Sequence, residues 1–141
     1  MYFWAIDKLK EEFITGTIKE NELVKYFIAH ILIVGAALSI PYQEPNIFDL
    51  VASILSVFLC IVGVLYAYRC NGADKGSHFI VKFLAISWVM FIKFLFSVFL
   101  FYALIMPLQT NIWDVLVFGM IEILFYWRVA FHIKGIETYQ K

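Results

Sequence analysis

Residues 79–134 read FIVKFLAISWVMFIKFLFSVFLFYALIMPLQTNIWDVLVFGMIEILFYWRVAFHIK: two long apolar segments joined by the short turn Met106 to Asn111, each with one full charge near its middle. Lys93 lies about 15 residues before the centre of that turn and Glu122 about 14 after it, so an antiparallel helix pair rising ~1.5 Å per residue brings them to similar depth. An ionisable group at the centre of a bilayer costs about 2.5–3.5 kcal/mol even on the gentler insertion scale, and an opposite charge beside it reduces that cost. The spacing predicts two spanning helices packed around an interhelical Lys93–Glu122 ion pair, with the rest of the chain arranged to bury it.

Composition agrees with that medium. Hydrophobic residues make up 63% of the 141 and charged residues 16%, against roughly 45–50% and about 25% in soluble domains. The 11 basic and 11 acidic residues cancel, so neither a nucleic-acid footprint nor a polyanionic partner is implied. Cys60 and Cys70 fall on one predicted helix, ~15 Å apart by rise, beyond the about 4.4–6.8 Å between Cα atoms that a disulfide tolerates. They are expected to be free thiols. No CxxC and no Cys/His ligand spacing is present, and neither a metal site nor a cofactor is expected.

Ahead of the hairpin, Tyr2, Ile6, Leu9 and Phe13 recur at helical spacing, with Asp7, Lys8, Glu11 and Glu12 elsewhere on the wheel. This predicts a short amphipathic helix over 2–15, lying on the membrane surface or packed against the protein's own cytoplasmic end. Gly16 is a natural helix stop, and Thr17 to Glu20 has the spacing of a capping box. The first membrane segment is expected over 18–41, ending at Pro41. Four lysines and five acids precede or open its apolar run, unlike the short basic leader of a cleavable signal.

A second segment is expected over 47–69. On it Asp49, Ser53, Ser56, Cys60, Gly63 and Ala67 follow at alternating steps of four and three, placing all six within about 80° of the helix circumference. Small residues on one face let backbones approach closely in lipid, so this is predicted to be a helix-packing face, within the bundle or between protomers. The connection Arg69 to His78 carries Asn71, Gly72 and Gly76 as turn residues and Ser77 placed to cap the next helix. The third and fourth segments are expected over 78–106 and 112–134. The chain therefore reads as all-α: one membrane domain, 1–141, with four transmembrane helices in an antiparallel bundle preceded by the amphipathic helix.

Charge sets the orientation. Lys8, Lys10, Lys19 and Lys25 precede the first segment, Arg69, Lys75 and Lys82 flank the middle loop, and Arg128, Lys134 and Lys141 end the chain, while the other two turns have none. The positive-inside rule then places both termini and the middle loop in the cytoplasm of an integral membrane protein, the plasma (inner) membrane in particular. Arg69, Lys82, Arg128 and His132 are expected to act as cytoplasmic-side anchors, reaching headgroups by snorkelling. Measured from the external turns, His30, Cys60, Lys93 and Glu122 all fall about 14–16 residues deep, within roughly one helical turn, and define a candidate polar layer. His30 and His132 fall on levels ~10 Å or more apart, which argues against haem.

No nucleophile, base and orienting group stand together, and the soluble segments are too short to hold an active site, so no enzyme is expected. Two readings remain. In the first, the chain is a non-catalytic partner-binding, regulatory or immunity-type subunit that meets another membrane protein, or a second copy, through its helix faces, chiefly the small-residue face of 47–69. In the second it is an oligomeric ion or proton channel or coupled transporter using the Lys93–Glu122 site. Apart from such a partner only the lipid bilayer is implied, and no nucleic acid.

Overall fold

The computed structural model describes residue 2 and residues 4–38, 46–105 and 111–139. These form five α-helices, α1 (Ile6–Thr15), α2 (Glu20–Leu38), α3 (Ile47–Cys70), α4 (Phe79–Ile105) and α5 (Ile112–Tyr139), with one 3-10 turn, Ala73–Lys75, between α3 and α4. Three stretches are long and apolar enough to cross a membrane: α3, the Phe79–Phe96 part of α4, and α5. At ~1.5 Å per residue α3 is ~36 Å long and α5 ~42 Å, so both are longer than a hydrocarbon core of about 30 Å. The fourth span, expected over 18–41, is not among the three. Glu20, Glu22 and Lys25 occupy the first two turns of α2, and residues 39–41 lie outside the described residues.

Helix starts differ from the expected ones for identifiable reasons. The Thr17 to Glu20 capping box does not form. The Thr17 hydroxyl instead lies 2.9 Å from that of Thr15, and α2 begins two residues later than expected, at Glu20. Ser77 gives its hydroxyl oxygen to Lys82. Two capping boxes occur where the spacing had not been singled out. Asn46 accepts from the Phe48 and Asp49 backbone N–H groups while Asp49 accepts from the Asn46 N–H at 2.8 Å. Asn111 accepts from Trp113 and Asp114 while Asp114 accepts from the Asn111 N–H at 2.8 Å. The motifs Asn46-Ile-Phe-Asp49 and Asn111-Ile-Trp-Asp114 are near copies, and each satisfies backbone donors that a helix start leaves without partners.

The order of packing is α2, α4, α5, α3, with α1 against α4 and α5. Lys82 meets Glu137 and Phe94 meets Phe125, so α4 and α5 are antiparallel. Leu55 and Leu59 lie against Gly119, Ser56 against Glu122 and Gly63 against Tyr126, so α3 and α5 run parallel. Tyr26 and Phe27 share a cavity with Val81 and Leu84, and His30 meets Ser87, so α2 and α4 are parallel too. The expected antiparallel arrangement therefore holds for the consecutive pair α4 and α5. Each of the outer helices instead lies alongside the helix two further on in the chain.

The buried core sits at the end of the bundle that holds α1. Ile6, Leu9 and Phe13 of α1 pack with Ile86 and Val89 of α4 and with Val129, Ile133 and Ile136 of α5. Tyr26 of α2, almost wholly buried, accepts a hydrogen bond from the Tyr2 backbone N–H at 2.7 Å. The Tyr2 hydroxyl donates to Glu12 at 2.7 Å, and that carboxylate pushes the Tyr2 phenol above its ordinary pKa. α1 closes with Gly16 in the left-handed region at φ +67°, the stop its position predicts.

The same end is locked by a buried polar cluster. Lys82 is 1% exposed, and its ammonium donates at 3.4 Å to Asn71 Oδ1, Ser77 Oγ and Glu137 Oε2. Three acceptors match the three donors of an ammonium group, so the charge is both paired and hydrogen-bonded, as a buried charge requires. Gly76 makes the loop that encloses it possible: a Cβ there would sit 1.7 Å from the Asn71 carbonyl oxygen.

Candidate functional site

The small-residue face of α3 is where α5 packs. Its first member, Asp49, serves the capping box, and the Ser53 hydroxyl donates back to the Asp49 carbonyl at 2.8 Å. The Ser56 hydroxyl donates to Glu122 Oε1 at 3.1 Å. The Cys60 thiol lies beside the Tyr126 hydroxyl. Gly63 is so close to Tyr126 that a Cβ would stand 2.2 Å from its ring Cγ, and Ala67 is fully buried. On the other side of the contact Gly119 receives the Leu55 and Leu59 side chains. A helix face without bulk lets two backbones close up in a solvent that supplies no hydrophobic drive between them, and here the approach is between α3 and α5.

Beside that contact, residues of α3, α4 and α5 line an open cavity of about 710 Å³. Its walls are Ala52, Leu55, Phe91, Phe94, Leu95, Val115, Phe118, Gly119, Ile121 and Phe125; its polar groups are Ser53, Ser56, Glu122 and Tyr126. Ligand pockets typically enclose about 300–1,000 Å³, with mostly apolar walls and a few fixed polar groups. Glu122 supplies the one carboxylate among the described lining residues. It forms no ion pair among the described residues, and its hydrogen-bond partner is Ser56.

The structure distributes the four residues of the expected polar layer over three places. Glu122 and Cys60 come together at the α3 and α5 contact, Cys60 through Tyr126 one turn from Glu122. By the register that joins Phe94 to Phe125 and Lys82 to Glu137, Lys93 is level with Tyr126, about one turn or ~6 Å from the level of Glu122. His30 lies on the far side of α4, its Nδ1 2.8 Å from the Tyr26 carbonyl oxygen, its Nε2 3.3 Å from Ser87 Oγ and its ring 5.5 Å from that of Trp88.

The same register puts His132 level with Ser87. The two histidines therefore share a level, where counting from the external turns had separated them. His132 is buried, and its Nδ1 has no hydrogen-bond partner among the described residues. Of the other expected anchors, Arg69 is exposed, and the exposed Arg128 places its guanidinium 5.9 Å from the centre of the Phe131 ring. Lys82 turns inward to the buried cluster. Among the described residues no three His, Cys, Asp or Glu side chains are grouped to hold a metal ion, and both cysteines are free thiols.

Glu137 is the residue that sequence reasoning missed. α5 continues five residues past Lys134, and a hairpin register about one turn different from the one assumed matches Lys82 to Glu137 in place of Lys93 to Glu122. The signal was present in Val129, Ile133 and Ile136, whose helical spacing carries the apolar face beyond Lys134. No family model, no curated protein and no solved structure matches the chain.

Proposed function

We propose that the chain is a four-span integral membrane protein, cytoplasmic at both ends, that binds and moves protons or another cation through a site centred on Glu122 and catalyses no reaction. One observation carries this reading: a carboxylate whose one partner among the described residues is a hydroxyl stands in the wall of an open, largely apolar cavity between α3, α4 and α5. A carboxylate that served packing alone would be expected to be matched the way Glu137 is, by a cation and closed walls. Ionisable groups kept at membrane depth without that compensation characterise ion and proton pathways.

Two further features support the architecture assumed here. α2 runs alongside α4 and parallel to it, so if α4 crosses the bilayer α2 enters the same slab, and its residues from Tyr26 to Leu38 carry no charge. The basic residues of the N-terminal region, the middle loop and the C-terminal end favour the cytoplasmic side. The alternative, a non-catalytic subunit binding another membrane protein or a second copy, has lost its main support, because the small-residue face that motivated it is occupied by α5.

The test is proton and small-cation flux in proteoliposomes, comparing the parent with Glu122→Gln after both are shown to be folded and equally reconstituted. Flux in the parent that vanishes in the variant is the expected result. Flux in neither protein above empty liposomes overturns the proposal and returns attention to membrane-protein partners.

A further inference from the structure

The chemistry of the cavity restricts what it can hold. A hydrated inorganic cation gives up its water only to a shell of oxygen ligands, about six to eight of them for calcium. The described lining offers the Glu122 carboxylate, two serine hydroxyls and a phenol among walls that are otherwise apolar. An anion would meet the carboxylate at close range in surroundings of low dielectric, where like charges repel strongly. A neutral apolar molecule would leave the same charge buried without a partner, a costly arrangement.

A bulky organic cation satisfies all three constraints. It is weakly hydrated, its hydrocarbon body fits apolar walls, and its charge matches the carboxylate, whose Oε2 has no partner among the described residues. The aromatic rings of Phe94, Phe118, Phe125 and Tyr126 line the same space, and cations are attracted to aromatic faces by about 2 kcal/mol or more where water is excluded. A volume near 710 Å³ suits a ligand of drug-like size. The cavity is open, so such a molecule has a way in.

We infer that the Glu122 cavity binds a lipophilic organic cation, with the carboxylate as counter-ion and the aromatic rings as its walls. This rests on the reading of Glu122 as a working site, and it goes further by naming the class of the occupant.

The experiment is equilibrium binding of tetraphenylphosphonium to the purified protein in nanodiscs, in parallel with the neutral triphenylphosphine oxide. Saturable binding of the cation is expected to the parent, with the neutral compound at least about 30-fold weaker and Glu122→Gln weakened to a similar degree. Glu122→Asp, which keeps the charge, should retain most of the binding. If Glu122→Gln proves unfolded, the cation-to-neutral ratio on the parent protein alone decides. Equal binding of the two compounds, or undiminished binding to a folded Glu122→Gln, overturns the inference by showing mere partition into an apolar space. Absence of saturable cation binding in a folded parent also overturns it. Where proton flux still depends on Glu122 in that case, the proposed function stands and only the ligand class falls; where flux is absent as well, both fall.

Discussion

Two acidic residues on one helix, Glu137 and Glu122, are four turns apart on α5 and differ in almost everything that surrounds them. Glu137 meets the Lys82 ammonium at 3.4 Å within a cluster completed by Asn71 and Ser77, at the end of the bundle where α1 fills the core. Glu122 has the Ser56 hydroxyl and an open cavity. The first carboxylate has its charge cancelled and its neighbours packed, which is how a fold uses a buried charge to fix the arrangement of its helices. The second has one hydroxyl partner among the described residues. In the function proposed above, the compensated charge holds the architecture and the other serves the site.

That contrast has measurable consequences. The largest belongs to the closed cluster: Lys82→Ala leaves the Glu137 carboxylate buried without its cation and is expected to cost about 3–5 kcal/mol, read as a large fall in the thermal midpoint in detergent. Pairing Lys82→Met with Glu137→Leu should recover most of that loss, because apolar side chains of similar volume often replace a buried pair at little cost. A double variant as unstable as Lys82→Ala would mean that Asn71 and Ser77, and not the ion pair, hold this end.

Next comes Gly63→Val, which drives side-chain atoms into Tyr126. Overpacking of this kind typically costs about 1–3 kcal/mol, and unchanged stability would show that the α3 and α5 contact is looser than described. The capping boxes follow. Asn46→Ala and Asn111→Ala should each cost about 0.5–2 kcal/mol, with fraying confined to the first turns of α3 and α5 in hydrogen exchange.

Glu122→Gln is expected to have the smallest effect on stability, within about 1 kcal/mol, since an amide can still accept from Ser56 and no cation among the described residues loses its partner. Its effect on transport is expected to be complete. A fall in thermal midpoint as large as that of Lys82→Ala would erase the distinction between the two carboxylates.

Helix identity was legible because it rests on local patterns. Apolar runs of 18 residues or more, polar turns and Gly16 announce themselves in one dimension, and so did the α3 face, whose spacing from Ser53 to Ala67 needs no knowledge of the partner. What could not be read was which helix the face would meet. The pattern left its partner open, within the bundle or between protomers; α3 lies against α5, and α2 against α4. The pairing of α4 with α5 was legible, but counting from a turn carries an uncertainty of a few residues, and at ~1.5 Å per residue a few residues decide which charges face each other. Turn counting sets Lys93 level with Glu122, whereas the ion pair shown between α4 and α5 is Lys82–Glu137. The twin motifs at Asn46 and Asn111 were in plain sight. Asn46 stands three positions before Asp49 and Asn111 three before Asp114, the same spacing that Thr17 and Glu20 have.

The parallel packing of α3 on α5 also bears on how the chain is made. During synthesis α3 is made before α5, and the face carrying Ser56, Gly63 and Ala67 has no α5 to meet until residues 112–139 follow. α5 supplies Tyr126 and Gly119 to that face and Glu137 to Lys82, so making α5 closes both contacts at once.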